Sequence, residues 1–107
     1  MKKLILTHRV RNELRDIYLY TLDTFGLAQA DLYHQQLEQS FKLLRQFPEL
    51  GRSQDRLRPG LRLYASGRHQ ILYTQIGETI QIEGLPHDSR DLDSYIAGEE
   101  GGEQDNG

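Results

Sequence analysis

The fold is decided by residues 69–83, which have the sequence HQILYTQIGETIQIE. Residues 69–76 are rich in strand formers, and Gly77-Glu78 then supplies a hairpin turn. In residues 79–83 apolar and polar side chains alternate, which puts Ile80 and Ile82 on one face of a strand. A similar alternation in residues 61–65 is followed by a Ser66-Gly67 turn. The sequence therefore predicts three consecutive strands at the centre of the fold.

Two amphipathic helices are predicted ahead of these strands. Residues 4–6 suit a short strand, after which Thr7 is placed to cap a helix. The apolar stripe of this first helix consists of Val10, Leu14, Ile17, Tyr18, Leu22 and Phe25. After a break at Gly26, a second stripe between residues 28 and 47 consists of Ala30, Tyr33, Leu37, Phe41 and Leu44. Because the break is tight, we expect an antiparallel helical hairpin.

Together these elements predict an α+β fold, a two-layer sandwich. In this fold the N-terminal strand and the helical hairpin pack on a mainly antiparallel sheet, since only the sheet is large enough to bury the helical stripes. Residues 48–60 are expected to form a loop, and a short C-terminal helix is expected after a cap at Asp88 or Ser89. The other face of the sheet, or its edge, is then left for function. We expect one domain over residues 1–97 and a disordered acidic tail over residues 98–107.

The composition indicates one small globular domain. The chain has 107 residues, of which 36% are hydrophobic and 27% charged. It contains no cysteine, which excludes disulfides, thiolate metal sites and a cysteine nucleophile. The apolar run after Lys2 and Lys3 is too short for a signal peptide, and no stretch is long enough to span a bilayer. The composition therefore predicts a cytoplasmic protein that does not associate with membranes.

The net charge of −3 hides a basic segment. Four acids lie within the last ten residues, and the rest of the chain holds 13 basic and 12 acidic residues. Residues 45–68 contain six arginines but only two acids, Glu49 and Asp55. Such a surplus indicates a surface that meets nucleic acid or an acidic protein, or else an ordinary solvated surface.

Five segments resemble the RelE/ParE superfamily of bacterial toxins. They are Leu14–Tyr18 with Thr24–Gly26, Phe47–Gly51, Arg58–Arg62, Gly67–Tyr73 and Leu85–Asp91. The last of them is similar to the Leu-x-His-x-x-x-Asp pattern with which the family ends. The order of the elements over residues 3–96 also matches this fold, and the resemblance is closer to the ParE-like branch.

The resemblance implies a toxin of a type II toxin–antitoxin system. A ParE-like toxin inhibits DNA gyrase by binding it, uses no cofactor or metal, and is neutralised by a ParD-like ribbon-helix-helix antitoxin. The resemblance implies no direct sequence-specific DNA binding by this chain, and it allows a toxin dimer within the complex. RelE-type relatives are ribosome-dependent mRNA endonucleases, so ribonuclease activity is the alternative.

The candidate site residues differ between these two functions. For a binding protein, the residues predicted to contact the target or the antitoxin are Arg58, Arg62, Tyr64, Arg68, His87 and Arg90. For a ribonuclease, the catalytic residues would be His87, His69 and Arg62, because histidine can transfer protons and arginine can stabilise a phosphate. Structural roles stay open, with His69 bonded across the sheet and His87 capping the last helix. No pair of histidines has the spacing of a metal site.

Glu83 argues against the ribonuclease interpretation and weakens the interpretation as an active toxin. RelE-type toxins carry basic residues on the last strand, where an acid such as Glu83 would repel a phosphate. ParE-like sequences often have an arginine near this point, so a degenerate, non-toxic antitoxin-binding module is a third interpretation. If Arg62 has only a structural role, we expect it to pair with a carboxylate such as Glu83 on the sheet.

Overall fold

The computed structural model describes residues 2–98 of the chain. Strand β1 (Lys3–Leu6) is followed by helix α1 (His8–Phe25) and helix α2 (Leu27–Gln46). The other strands are β2 (Arg52–Ser53), β3 (Arg62–Ser66), β4 (His69–Ile76) and β5 (Thr79–Gly84). A last helical segment, α3, covers residues 92–98. The predicted α+β class and element order are confirmed. Of the predicted acidic tail, Gly98 lies in α3 and residues 99–107 lie outside the described residues.

Two residues at helix ends set the helical hairpin. Thr7 caps α1, because its Oγ1 accepts the backbone N–H of Val10 at 3.2 Å and so satisfies a donor that helices leave unpaired at their start. Gly26 adopts a φ of 95°, a conformation that favours glycine. Its N–H donates to the carbonyl of Leu22, and its carbonyl accepts from Ala30. One residue thus ends α1 and begins α2, which gives the tight hairpin that the sequence predicts.

The strands form one mixed sheet in the order β1-β5-β4-β3-β2. β1 pairs with β5 in parallel, and the other three pairs are antiparallel. The hairpin predicted from residues 69–83 is the β4–β5 pair, with its turn at Gly77 and Glu78. β2 lies in the region predicted to be a loop. The sequence does not predict this strand, because two residues are too few to show a strand periodicity.

The main core lies between the sheet and the helical hairpin. Its buried members are Val10, Phe41, Leu44, Ile71, Tyr73, Ile80, Ile82 and Leu85. The predicted stripe of α2 is buried except for Tyr33, which is partly exposed. The stripe predicted for α1 is wrong at its end, where Leu22 is 36% and Phe25 is 65% exposed. Thr21 is buried instead, and its hydroxyl donates to the carbonyl of Ile17 at 2.8 Å.

A second, smaller core covers part of the other sheet face. Leu61, Leu63, Leu72 and Tyr95 are buried together there, and α3 supplies Tyr95. The expectation that this face is left for function is therefore wrong where α3 lies on it. The predicted caps at Asp88 and Ser89 are also wrong, since Asp91 Oδ2 accepts the backbone N–H of Ser94 at 3.0 Å. No helix in the described part of the chain has the length and apolar character needed to cross a membrane.

Candidate functional site

A groove of about 890 Å³ opens between the helical hairpin, the β3–β4 turn and the segment that follows β5. It is lined by Asp16, Ile17, Tyr20, Thr21, Phe25, Gln29, Tyr33, Arg68, His69 and His87. We call this the hairpin groove. One wall, from α1, is largely apolar, whereas the end formed by the sheet carries cationic and titratable side chains. A groove of this size with a few convergent polar groups is a typical binding site.

Tyr33, His69 and His87 form the polar end of the hairpin groove. The Tyr33 hydroxyl lies 2.7 Å from His69 Nδ1 and accepts the backbone N–H of Arg68 at 2.9 Å. The rings of His69 and His87 meet edge to face, with centroids 5.4 Å apart. Burial lowers the pKa of His69, the charge of His87 lowers it further, and Asp88 raises it. His69 therefore resists protonation more than an ordinary histidine does.

Gly67 allows Tyr33 to reach this position. A Cβ atom on residue 67 would lie 2.5 Å from Tyr33 Cε1, and the φ of 59° also favours glycine. Burial raises the pKa of the Tyr33 hydroxyl, although the backbone N–H of Arg68 opposes this shift. Tyr33 therefore stays protonated and can donate a hydrogen bond.

Backbone pairing holds His87 beside His69. The two residues are opposite each other in an isolated antiparallel bridge. Hydrogen bonds flank the bridge, from the Gln70 N–H to the Pro86 carbonyl at 2.8 Å and from the Asp88 N–H to the Arg68 carbonyl at 2.7 Å. Because side chains of directly opposed residues share a face, the backbone brings the two imidazoles together. The segment Leu85–Asp91, which carries part of the family resemblance, thus places His87 in the lining of the groove.

Both histidines use their Nδ1 atoms within the chain. His87 Nδ1 lies 2.8 Å from Ser89 Oγ and accepts the backbone N–H of Ser89 at 3.1 Å. His87 therefore does not cap α3, and that prediction is wrong. Asp88 Oδ1 lies 3.1 Å from the same nitrogen. Among residues 2–98, no three His, Asp or Glu side chains are grouped as a metal site requires.

The apolar wall includes two aromatic side chains that the core does not use. Tyr20 is 66% and Phe25 is 65% exposed, and both lie along the groove with Ile17. Exposed aromatic side chains that line a groove are typical of protein-binding surfaces. The sequence assigns Phe25 to the core, because its helical spacing alone does not show that the core ends before it.

Of the residues predicted to bind a target or antitoxin, Arg68 and His87 line the hairpin groove, and Arg62 and Tyr64 do not. Arg62 Nη1 donates to the carbonyl oxygen of Gly51 at 2.7 Å and to that of Glu49 at 3.4 Å, which ties β3 to the loop after α2. Tyr64 is partly buried against the main core.

Arg58 lies on the other side of the sheet, where it forms an ion pair with Glu83. Glu83 is the extra residue of a β-bulge, because Leu72 is opposite Gly84 and Tyr73 is opposite Ile82. Glu83 Oε2 also accepts the Thr74 hydroxyl at 2.5 Å. The predicted Arg62–Glu83 pair is wrong, because Arg62 points to the face that the helices cover. The charge of Arg58 is compensated within the chain.

Arg90, the remaining predicted residue, lies next to α3. Its guanidinium is 5.6 Å from the centre of the Tyr95 ring. Two of the six predicted residues thus line the hairpin groove, and the other four do not. Sequence reasoning missed Tyr33 as a site residue and assigned it only to packing. A signal was present, since Tyr33 is the one member of the α2 stripe with a polar side-chain atom.

Known proteins match this chain over most of its length. Residues 4–92 match the family model described as the ParE toxin of the type II toxin–antitoxin system parDE. The chain is 30% identical over 93 residues to Toxin ParE1 of Mycobacterium tuberculosis, a match that covers 86% of this chain and 95% of that protein. It is 29% identical over 96 residues to Toxin ParE1 of Caulobacter vibrioides, with coverage of 90% and 99%.

A solved structure described as the chromosomal ParDE toxin–antitoxin system from P. aeruginosa has the same fold. The TM-score is 0.71 at 22% identity, and the match covers 81% of this chain and 96% of that one. The fold and the sequence matches together define a toxin of a type II toxin–antitoxin system. Within that class, the chain belongs to the ParE toxin family, the toxins of ParDE systems.

Proposed function

We propose that this chain inhibits DNA gyrase by binding it, and that a ParD-like ribbon-helix-helix antitoxin keeps it inactive by filling the hairpin groove. The observation that carries the gyrase part is the match to the ParE toxin family over residues 4–92. The antitoxin part is supported by the groove itself, whose aromatic wall of Tyr20 and Phe25 is left exposed. A groove between helices and sheet can accept an amphipathic segment that folds as it binds.

Supercoiling by purified gyrase tests the first part. Relaxed plasmid is incubated with gyrase and increasing amounts of this protein, and we expect supercoiling to fall as the protein is added. An antitoxin encoded beside the toxin gene should restore supercoiling when it is added at an equal concentration, whereas antitoxin alone should have no effect. Full supercoiling at high micromolar toxin would contradict the gyrase proposal.

The genetic neighbourhood and co-purification test the second part. We expect a short reading frame with a ribbon-helix-helix pattern next to the gene for this chain. When both proteins are expressed together, a tag on the antitoxin should recover the toxin in a fixed ratio. The size of the purified complex also tests whether two toxin chains are present in it. Recovery of the antitoxin alone would contradict the proposed partner.

Ribosome-dependent cleavage of mRNA is the second candidate function, and the His69–His87 pair favours it. Two imidazoles with ring centres 5.4 Å apart, next to Arg68, provide the kinds of group that acid–base cleavage of a phosphodiester uses. Arg62, proposed with them from the sequence, is bonded to the loop after α2 instead. Primer extension on translated mRNA should show cleavage that His87→Ala abolishes and His34→Ala, outside the groove, does not.

The pairing of Arg58 with Glu83 favours a third candidate, a module that binds the antitoxin but is no longer toxic. A cation compensated within the chain is less available to a target. This candidate predicts tight antitoxin binding together with unimpaired supercoiling. Inhibition of gyrase by the wild-type chain would exclude it.

A further inference from the structure

The hydrogen bonds of the two groove histidines determine which ring nitrogen carries the proton. The backbone N–H of Ser89 donates to His87 Nδ1, and we therefore assign the proton of the neutral ring to Nε2. In a protonated ring Nδ1–H would face Asp88 Oδ1 at 3.1 Å, and Nε2 would still carry a proton. The Tyr33 hydroxyl already accepts the N–H of Arg68, and its own proton has two acceptors within reach. These are His69 Nδ1 at 2.7 Å and the Ser66 carbonyl at 3.4 Å.

We assign the Tyr33 proton to the His69 contact, because the distance of 2.7 Å is that of a strong hydrogen bond and 3.4 Å is not. His69 Nδ1 is then also an acceptor, and the proton of the neutral His69 ring is on Nε2. Both rings line the hairpin groove with Nδ1 occupied, so both offer an Nε2–H donor to a ligand.

A pair of N–H donors excludes one kind of ligand and favours another. A metal ion would need the lone pairs of both Nε2 atoms, with the protons moved to Nδ1. In His87 that proton would remove the hydrogen bond from the N–H of Ser89, although Asp88 Oδ1, 3.1 Å away, could accept it. The charge of Arg68 is therefore the stronger argument against a metal ion. Arg68 lies beside the two histidines and forms no ion pair within residues 2–98, so it adds a positive charge. Two donors and a guanidinium are complementary to an oxyanion.

We propose that His69, His87 and Arg68 form a carboxylate-binding site at the polar end of the hairpin groove, and that its ligand is an acidic side chain of the antitoxin segment. The site rests on the proposed docking of the antitoxin in this groove. A carboxylate bonded to both Nε2–H groups would fix the register of that segment, while its apolar side chains contact Tyr20 and Phe25.

The other walls of the groove favour a protein carboxylate over the phosphates of a nucleic acid. Tyr20 and Phe25 suit a ligand that is apolar next to its charge. Asp16, which lines the groove from α1, would repel a chain of phosphates more strongly than a single carboxylate. The carboxylate of Asp88 approaches Nδ1 of His87, away from the Nε2 atom that the ligand would contact.

Nitrogen-15 NMR of the imidazole rings in the full chain tests the site without any antitoxin. The ring shifts should first identify both histidines as Nε2–H tautomers. The amide of N-acetylglutamic acid, added to about 50 mM because single charged hydrogen bonds are weak, should then shift both Nε2–H signals. The amide of N-acetylglutamine has the same shape without the charge, and it should leave them in place at equal pH and ionic strength.

Three results would overturn the proposal. One is an Nδ1–H tautomer in either ring. Another is a response to the glutamine compound equal to the response to the glutamate compound. The third is binding of inorganic phosphate with no response to the carboxylate, which would assign the site to nucleic acid.

Paired substitutions distinguish the effect of the hydrogen-bond donor on binding from the effect of side-chain shape. Glutamine can place an N–H near the position of Nε2, whereas methionine has a similar length without a donor. We expect His69→Gln and His87→Gln to bind the glutamate compound within about 3-fold of wild type, and His69→Met and His87→Met to lose about 10-fold. Arg68→Gln, an exposed substitution, should also weaken binding by about 10-fold. Equal losses in the Gln and Met variants would show that no donor is involved.

Antitoxin binding then separates this inference from the function on which it rests. If the carboxylate compound binds but no antitoxin co-purifies, the site stands and the proposed partner fails. If the antitoxin binds equally well to wild type and to both Met variants, the partner stands and this site is not its anchor.

Discussion

The hydroxyl of Tyr95 lies 2.9 and 2.8 Å from the two carboxylate oxygens of Glu13, a residue of the first helix. Glu13 also accepts the backbone N–H of Leu85 at 2.9 Å and pairs with Arg9 at 3.3 Å. The Arg9 guanidinium in turn is 3.9 Å from the centre of the Tyr95 ring. One partly buried carboxylate therefore joins α1, the segment after β5 and α3, and together with the second core it holds the C-terminal helix to the rest of the domain.

Removing the Tyr95 hydroxyl tests the importance of this junction. Tyr95→Phe keeps the ring but deletes the donor to Glu13, and we expect the free energy of unfolding to fall by about 1–3 kcal/mol. Urea unfolding followed by circular dichroism measures the change. Tyr20→Phe is the matched control, because Tyr20 is 66% exposed, and it should change stability by less than about 0.5 kcal/mol. Equal effects of the two substitutions would show that the Tyr95–Glu13 contact adds no stability.

The pH dependence of stability should report on His69. Burial and the charge of His87 lower its pKa below the ordinary value of 6.5. Because the pKa of His69 is lower in the folded state, neutral His69 stabilises the fold relative to the unfolded chain. This contribution is fully present above pH 6.5 and is lost as the pH falls through the folded pKa. Between roughly pH 7 and pH 5, wild type should lose more stability than His69→Gln, as measured by urea unfolding at each pH. His34→Gln, on the outer part of α2, should keep the wild-type slope.

Local patterns predict most of the fold because the helices and the long strands bury one regular face. Ile80 and Ile82 lie on the predicted face, and Gly26 ends α1 as expected. The exceptions have non-local causes. β2 exists only through its pairing with β3, and the exposure of Phe25 depends on where the core under α1 ends. Periodicity describes the face of a helix and cannot locate the end of its partner.

The site is less predictable than the fold because tertiary pairing assembles it. His69 and His87 meet through a single backbone bridge, and Tyr33 reaches them across a glycine turn. The partner of Glu83 likewise depends on the side of the sheet on which each arginine lies. The sequence predicts a pair between Glu83 and Arg62, whereas in the structure Glu83 pairs with Arg58. The residue types of the groove can be anticipated from the sequence, but their neighbours cannot.

Gly51 is required by the position of Tyr73. The buried Tyr73 hydroxyl donates to the Pro48 carbonyl at 2.7 Å and accepts the N–H of Gly51 at 2.8 Å. A Cβ atom on residue 51 would lie 2.5 Å from this oxygen and 2.6 Å from a ring carbon. We expect Gly51→Ala to lower the free energy of unfolding by about 1–3 kcal/mol, since the ring or the loop must move. Tyr73→Phe should not restore the loss in the double variant, because the ring carbon stays in place. Wild-type stability of Gly51→Ala in urea would contradict this packing.

The Arg58–Glu83 ion pair should contribute more than a surface pair. The Glu83 side chain is only 14% exposed and that of Arg58 is 39% exposed, so solvent screening is reduced but not absent. A double-mutant cycle with Arg58→Met and Glu83→Gln should give a coupling energy of about 1 kcal/mol. The same cycle at Lys2 and Glu78, where the Glu78 side chain is 84% exposed, should give about 0.3 kcal/mol or less. Equal coupling energies at the two pairs would show that the Arg58–Glu83 pair stabilises the fold no more than an exposed surface pair does.

The aromatic wall of the hairpin groove should matter for antitoxin binding and not for folding. Tyr20→Ala and Phe25→Ala remove side chains that are about two-thirds exposed. The free energy of unfolding, measured in urea, should therefore change by less than about 0.5 kcal/mol. If the antitoxin fills the groove, each substitution should weaken its binding by about 10-fold or more, as measured by titration calorimetry. Leu32→Ala is the matched control, because Leu32 is 59% exposed on α2 but does not line the groove. A loss of affinity in Leu32→Ala as large as in Phe25→Ala would place the antitoxin outside the groove.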